Sequence, residues 1–231
     1  MDRIRPLIAE FIGTFTLVFI GAGAICLDSA RNGAVGLLGI AVAHGLALSV
    51  MISNFGHISG GHFNPAVTFG FLLTKRFDIA QTLMYWMAQC FGAMIAAFLL
   101  QAIFKHWADA THIGLPMFDS SAAPRIGVLR ALMIEAILTF FLVTTVFATA
   151  VDERGAFSKF AGFGIGLTVT LDILMGGPLT GASMNPARSL GPAMVSGHWS
   201  FHWVYWVAPL LGGGFAAALY DIVYLRPQKK S

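Results

Sequence analysis

The sequence predicts an all-α membrane protein: six transmembrane helices and two half-helices, arranged as an inverted repeat of a three-span unit. Three observations carry that prediction. The 231 residues are 57% hydrophobic and only 11% charged, too apolar and too charge-poor for a water-soluble domain of this length. Six apolar runs each approach the roughly 20 residues a helix needs to cross the hydrocarbon core. A segment centred on Asn-Pro-Ala occurs twice, once in each half.

The runs lie at about 7–27, 34–54, 81–104, 128–150, 160–178 and 202–225. The first follows the basic start Asp2-Arg3-Ile4-Arg5, and because more spans follow it reads as an uncleaved first helix rather than a signal peptide. Cys26 and Cys90 sit inside apolar stretches, so they read as small apolar filler and not as a disulfide. The longest connection, 105–127, holds Pro116 and Pro124. It divides a single membrane domain, 1–231, into halves of about 1–118 and 119–231.

Basic residues set the orientation. With six spans both termini share a side, and that side collects Arg3, Arg5, Lys75, Arg76, Arg154, Lys159, Arg226, Lys229 and Lys230. The other side has Arg31, Lys105, Arg125 and Arg130. The excess predicts a multi-pass protein of the cell membrane with N- and C-termini in the cytoplasm. Arg188 belongs to neither set.

The repeat is specific. Ile58-Ser-Gly-Gly-His-Phe-Asn-Pro-Ala-Val-Thr-Phe-Gly70 returns as Leu179-Thr-Gly-Ala-Ser-Met-Asn-Pro-Ala-Arg-Ser-Leu-Gly191. Tyr85-Trp86 returns as Tyr205-Trp206, and Glu10 with Thr14 returns as Glu135 with Thr139. Three spans is an odd number, so the second copy enters the membrane from the opposite side. Asn64-Pro65-Ala66 and Asn185-Pro186-Ala187 open segments, 64–74 and 185–195, that are too short to span. Asn as cap and Pro at the first helical position is a helix-start signature. The economical arrangement is two half-helices that dip in from opposite faces and meet, N-terminus to N-terminus, at the midplane.

Each N-terminus brings about half a positive charge and unpaired N–H donors. Facing each other, they repel cations at the centre of the membrane. The Asn64 and Asn185 amides can donate to the oxygen of a passing water while backbone N–H groups hold their own carbonyls. Non-helical backbone at that depth is tolerated only inside protein or beside a wet cavity, so the pattern implies a pore.

Other readings are excluded or bland. The net charge of +3 is spread over short clusters, which excludes a nucleic-acid partner. His57 and His62, flanking the first box, have no carboxylate or thiol in a ligand pattern, so they read as pore-lining or loop-anchoring and neither a metal nor a cofactor is expected. No HExxH or GxSxG segment appears, so the chain is not expected to be an enzyme. Gly92/Ala96 spacing fits close helix contact. Asp172, an acid within a span, needs a partner; it is protonated, bonds a neighbouring subunit, or tunes His44. A secondary transporter shares the inverted-repeat logic, but here the midplane offers amides rather than ion-coupling groups.

Through the paired Asn-Pro-Ala boxes and Arg188 just after the second, the sequence resembles the aquaporin (major intrinsic protein) family over essentially its whole length. The stretches Gly176-Gly177-Pro178, Gly181-Ala182-Ser183-Met184-Asn185 and His202-Trp203-Val204-Tyr205-Trp206 are most similar to the plant tonoplast intrinsic subgroup. The resemblance implies an aquaporin-like right-handed bundle and a passive channel for water that excludes protons and ions. It further implies passage of ammonia and other small neutral solutes, with a glycerol/urea facilitator as the alternative. By motif offset it maps a four-residue constriction onto His44, Ile173, Ala182 and Arg188, and it aligns an outer-loop histidine with His112. Glu10 and Glu135 resemble the family's buried structural carboxylates, and a homotetramer embedded in the lipid bilayer is implied.

Overall fold

The computed structural model describes residues 4–118, 126–154 and 160–225. Of the cations counted from the sequence on the side of the termini, Arg3, Lys159, Arg226, Lys229 and Lys230 lie outside the described residues, as does Arg125 on the other side. The helices in chain order are α1 (Ile4–Ala30), α2 (Gly36–Ser59), α3 (Pro65–Leu73), α4 (Ile79–Phe104), α5 (His106–Ala110), α6 (Val128–Val146), α7 (Ala161–Thr180), α8 (Pro186–Ser196) and α9 (Val204–Tyr220). One π-turn extends α6 to Val151 and another extends α9 to Leu225.

Six of these elements are long and apolar enough to cross a bilayer: α1, α2, α4, α6 with its extension, α7, and α9 with its extension. The sequence placed all six. It ended the second run too early, at 54, whereas α2 continues to Ser59. It also read 105–127 as irregular, whereas α5 forms there.

α1 packs on α4 and α2, α2 on α7, and α6 on α9 and α7. Two repeat-related glycines permit close crossings. A Cβ on Gly92 would collide with the Phe11 carbonyl of α1, and one on Gly212 with the Ala136 carbonyl of α6. Small residues that let backbones touch are how helices associate where lipid is as apolar as leucine. Outward, Met87, Phe91, Leu211 and Phe215 are exposed, the surface a hydrocarbon solvent requires.

α2 and α7 each stop at a glycine in the left-handed region, Gly60 (φ 87°) and Gly181 (φ 82°). That conformation costs glycine nothing and turns the chain back into the bundle. Five residues separate the end of α3 from the start of α4, and α8 ends shortly before α9. Because α4 and α9 start on opposite faces, the two half-helices enter from opposite faces.

The face that carries the N-terminus is laced by ion pairs. Asp152 accepts from the Arg154 backbone N–H (3.1 Å), Nε (2.8 Å) and Nη2 (2.8 Å), and from the Tyr220 hydroxyl (3.3 Å). Those Arg154 bonds hold the Asp152 carboxyl down at about 2. Arg154 also donates to the Tyr224 carbonyl at the end of the chain's last span (2.6 Å). Arg76, just beyond α3, pairs with Asp221 at 2.8 Å and lies over the Phe147 ring.

Candidate functional site

Two buried carboxylates build the loops that lead into the half-helices. Glu10 Oε1 accepts from the Ser59 hydroxyl (2.7 Å) and the His62 N–H (3.0 Å), and Oε2 from the Phe63 N–H (2.6 Å) and the Gln89 amide (2.7 Å). Glu135 repeats the pattern: Oε1 takes the Thr180 hydroxyl (2.7 Å) and the Ser183 N–H (3.0 Å), and Oε2 the Met184 N–H (2.8 Å). The Tyr85 hydroxyl donates to the Ser59 carbonyl (2.9 Å) as that of Tyr205 does to Thr180 (2.7 Å). Burying such loops is tolerable only because these acceptors meet their N–H groups.

Held this way, Phe63 (φ 48°) and Met184 (φ 53°) occupy the left-handed region although neither is glycine. That costs on the order of 1–3 kcal/mol each and persists where the surroundings over-determine it. Here it aims both carbonyls at the opposite half-helix.

At the next residue the helices start. Asn64 caps α3, its Oδ1 accepting from the Ala66 N–H (2.8 Å). Asn185 caps α8, its Oδ1 accepting from the N–H groups of Ala187 (3.1 Å) and Arg188 (3.2 Å). Pro65 and Pro186 take the first helical positions, where a missing N–H costs nothing. The amides then cross: Asn64 Nδ2 donates to the Met184 carbonyl (2.9 Å) and Asn185 Nδ2 to the Phe63 carbonyl (2.8 Å). Sequence reasoning had each side chain donate an N–H to a passing water and did not foresee the crossing. The fold commits one N–H of each to the facing loop and leaves one per side chain for the lumen.

His44, Ile173, Ala182 and Arg188 line the same internal cavity as Asn64 and Asn185. Its free space is about 20 Å³, little more than one water molecule's centre requires. Arg188 Nη1 donates to the Gly114 carbonyl (2.7 Å) and Nη2 to His44 Nε2 (3.2 Å). A guanidinium only donates, so Nε2 is the acceptor and His44 is the neutral tautomer whose Nδ1–H donates to the Ile40 carbonyl (2.9 Å). Ile173 and Ala182 add apolar lining to the same cavity.

Two further groups belong to the site: Gly114, which the sequence did not single out, and His62, which it read as pore-lining or loop-anchoring. Gly114 presents its carbonyl to Arg188 from a turn in which Ile113 is left-handed (φ 59°) and fully buried; nothing in its residue type announces that role. His62 lines the same cavity, with Nδ1 3.1 Å from the Thr68 hydroxyl and Nε2 without a hydrogen-bond partner among the described residues. Its position two residues before Asn64 was the available signal. His112 packs against His198, ring centroids 4.5 Å apart, and the turn it opens brings the Gly114 carbonyl to Arg188. Asp172 faces away from the cavity, into a groove between α6 and α7. No group of three or more metal-ligating side chains occurs among the described residues.

The model of the family described as "Major intrinsic protein" matches residues 1–220. The chain is 43% identical over 235 residues to a probable aquaporin TIP3-2 of Arabidopsis thaliana, covering 97% of this chain and 85% of that protein. It is 43% identical over 227 residues to aquaporin TIP4-4 of Zea mays, covering 96% and 87%. The crystal structure of the aquaglyceroporin from Plasmodium falciparum superposes with a TM-score of 0.83 at 27% identity, covering 96% of both chains.

Proposed function

The chain belongs to the major intrinsic protein family of membrane channels, a family of channels and not of enzymes, and on that premise we propose that it conducts water and ammonia passively while excluding protons and ions. The observation that carries the proposal is the crossed asparagine pair beside a cavity with free space of about 20 Å³. A water passing Asn64 and Asn185 accepts the remaining N–H of each through its oxygen, so its hydrogens point along the file, away from the centre on both sides. Proton relay through that water would require it to reverse between two fixed donors and two electropositive helix ends.

Arg188 and His44 form the polar wall of the constriction and Ile173 with Ala182 the apolar wall. Arg188 repels cations. The apolar wall replaces hydrogen-bonding groups that would retain water and lets ammonia pass with it. We assign the site to Asn64, Pro65, Ala66, Asn185, Pro186 and Ala187 at the centre and to His44, Ile173, Ala182 and Arg188 at the constriction. Glu10 and Glu135 position the loops. The halves of about 1–118 and 119–231 form one domain, both termini face the cytosol of the cell membrane, and the assembly is a homotetramer with a pore in each subunit.

Stopped-flow light scattering on vesicles holding the purified protein tests the reading. Shrinkage several-fold faster than in empty vesicles is expected, and equal rates would defeat it. Ile173→His is expected to reduce ammonia flux more than water flux. A glycerol or urea facilitator is the second reading, favoured by the Ile173/Ala182 wall; glycerol flux matching water flux would support it.

A further inference from the structure

Arg188 is held at the constriction by acceptors that its own half-helix does not supply. Nη1 donates to the Gly114 carbonyl and Nη2 to His44 Nε2. Where those two acceptors sit therefore decides where the guanidinium sits and how much of the lumen it leaves open. Both rest on adjacent residues of α1. At Gly21 an added Cβ would overlap the imidazole of His44, with Cγ, Cδ2 and Nε2 all in its way. At the next residue, the Cα, Cβ and carbonyl oxygen of Ala22 form the floor under Gly114, where an added Cβ would come within 2.9–3.0 Å of them.

The neighbouring turns of α1 join in. Cys26, one turn beyond Ala22, places its Sγ 3.5 Å from the hydroxyl of Thr111, which caps the turn that carries Gly114. Leu17, one turn before Gly21, lines the pore cavity itself. The His44 ring is thus lodged between α1 and the lumen, 3% exposed, in a seat that exists because position 21 has no side chain. A residue within a helix has essentially two χ1 wells. A ring pushed off α1 therefore gives up the bond from Arg188 and turns into the cavity it lines. Only about 20 Å³ is free there, close to the least a single water needs, so the displaced ring closes the path.

We propose that Gly21 is a positioning residue for the constriction: its missing Cβ seats His44, and together with Ala22 it makes α1 the element that fixes Arg188 and keeps the lumen open. The inference rests on the reading of His44 and Arg188 as the constriction of a water channel. Gly21 does not itself line the cavity and acts through His44. Gly23, on the same helix, supplies the contrast. A Cβ there would meet only Leu100 Cδ2, at 3.1 Å, the end of a side chain that can turn aside.

The test compares osmotic water flux of the full-length protein in phospholipid vesicles, normalised to the folded protein present, across five chains: wild type, Gly21→Ala, His44→Ala, the double variant Gly21→Ala/His44→Ala, and Gly23→Ala. Gly21→Ala is expected to lose most of its flux, and Gly23→Ala to keep that of the wild type. His44→Ala is expected to conduct faster than the wild type, its ring being gone. The double variant is expected to match His44→Ala, because nothing remains for the new Cβ to displace. Wild-type flux in Gly21→Ala, an equal loss in Gly23→Ala, a closed His44→Ala, or a double variant as slow as Gly21→Ala would each overturn the proposal. If Gly21→Ala does not fold, the yield on size-exclusion chromatography decides. Folded protein recovered in the double variant supports the seat, and failure of both variants overturns it, because the Cβ would then disturb α1 itself. A wild type no faster than empty vesicles would instead defeat the channel reading, which keeps the two failures apart.

Discussion

Replacing each of the two loop-building glutamates by glutamine is expected to give unequal losses, and the inequality follows from one repeat-breaking neighbour. In either variant one carboxylate oxygen becomes an NH₂ that confronts a backbone N–H, that of Phe63 or that of Met184. Losing a hydrogen bond to a charged acceptor costs about 1.5–3 kcal/mol. At position 10 the new NH₂ meets Gln89, whose Oε1 is buried without a partner and turns to accept it when that amide flips. At position 135 the repeat places Pro209 where the first half has Gln89, so the new NH₂ gains no such acceptor and adds about 1–3 kcal/mol for an unsatisfied buried donor. Glu135→Gln should therefore be less stable than Glu10→Gln by roughly 2 kcal/mol. The assay is unfolding by sodium dodecyl sulfate in mixed micelles, followed by circular dichroism. Equal losses, or a larger loss at position 10, would refute the account of how these loops are held.

Other outcomes follow from the same contacts. Gly212→Ala is expected to prevent α9 from seating on α6 and to abolish folded, detergent-stable protein, while Gly127→Ala, whose Cβ would meet nothing within 4 Å, leaves the yield unchanged on size-exclusion chromatography. Arg188→Lys cannot reach the Gly114 carbonyl and His44 together; urea flux in vesicles should rise relative to water flux, and an unchanged ratio would count against the constriction. The Asp152 carboxyl is held below its unfolded value of about 3.9, so its pairing with Arg154 stabilises the fold above that value and is lost only as pH falls toward about 2. Between pH 8 and pH 5 the Asp152–Arg154 clamp should thus stay closed. Hydrogen exchange at Arg154 and Tyr224, corrected for intrinsic rates, should be flat across that range, whereas Asp152→Asn should speed it throughout.

The parts of the fold governed by local chemistry were legible in the sequence. Apolar length located all six spans, and Asn-Pro, repeated in an odd-span unit, located two helix starts facing each other. Arg188 was marked by its cost at membrane depth. What the sequence did not disclose depends on groups far apart in the chain. The left-handed conformations of Phe63 and Met184 exist because Glu10 and Glu135 pull on their N–H groups, and neither residue type signals them. The crossing of the Asn amides depends on those rotated carbonyls, so it too was hidden. Gly114 acts through a carbonyl that every residue possesses. Asp172 was visible as an anomaly, but only the packing of α6 against α7 shows which way it faces.

Water and proton flux measured on the same vesicles, by light scattering and by an enclosed pH dye, tests the central claim most directly. The crossed Asn64 and Asn185 amides require fast osmotic shrinkage with a proton leak no greater than that of empty vesicles. Fast shrinkage accompanied by a proton leak, or no acceleration of shrinkage at all, would contradict the claim.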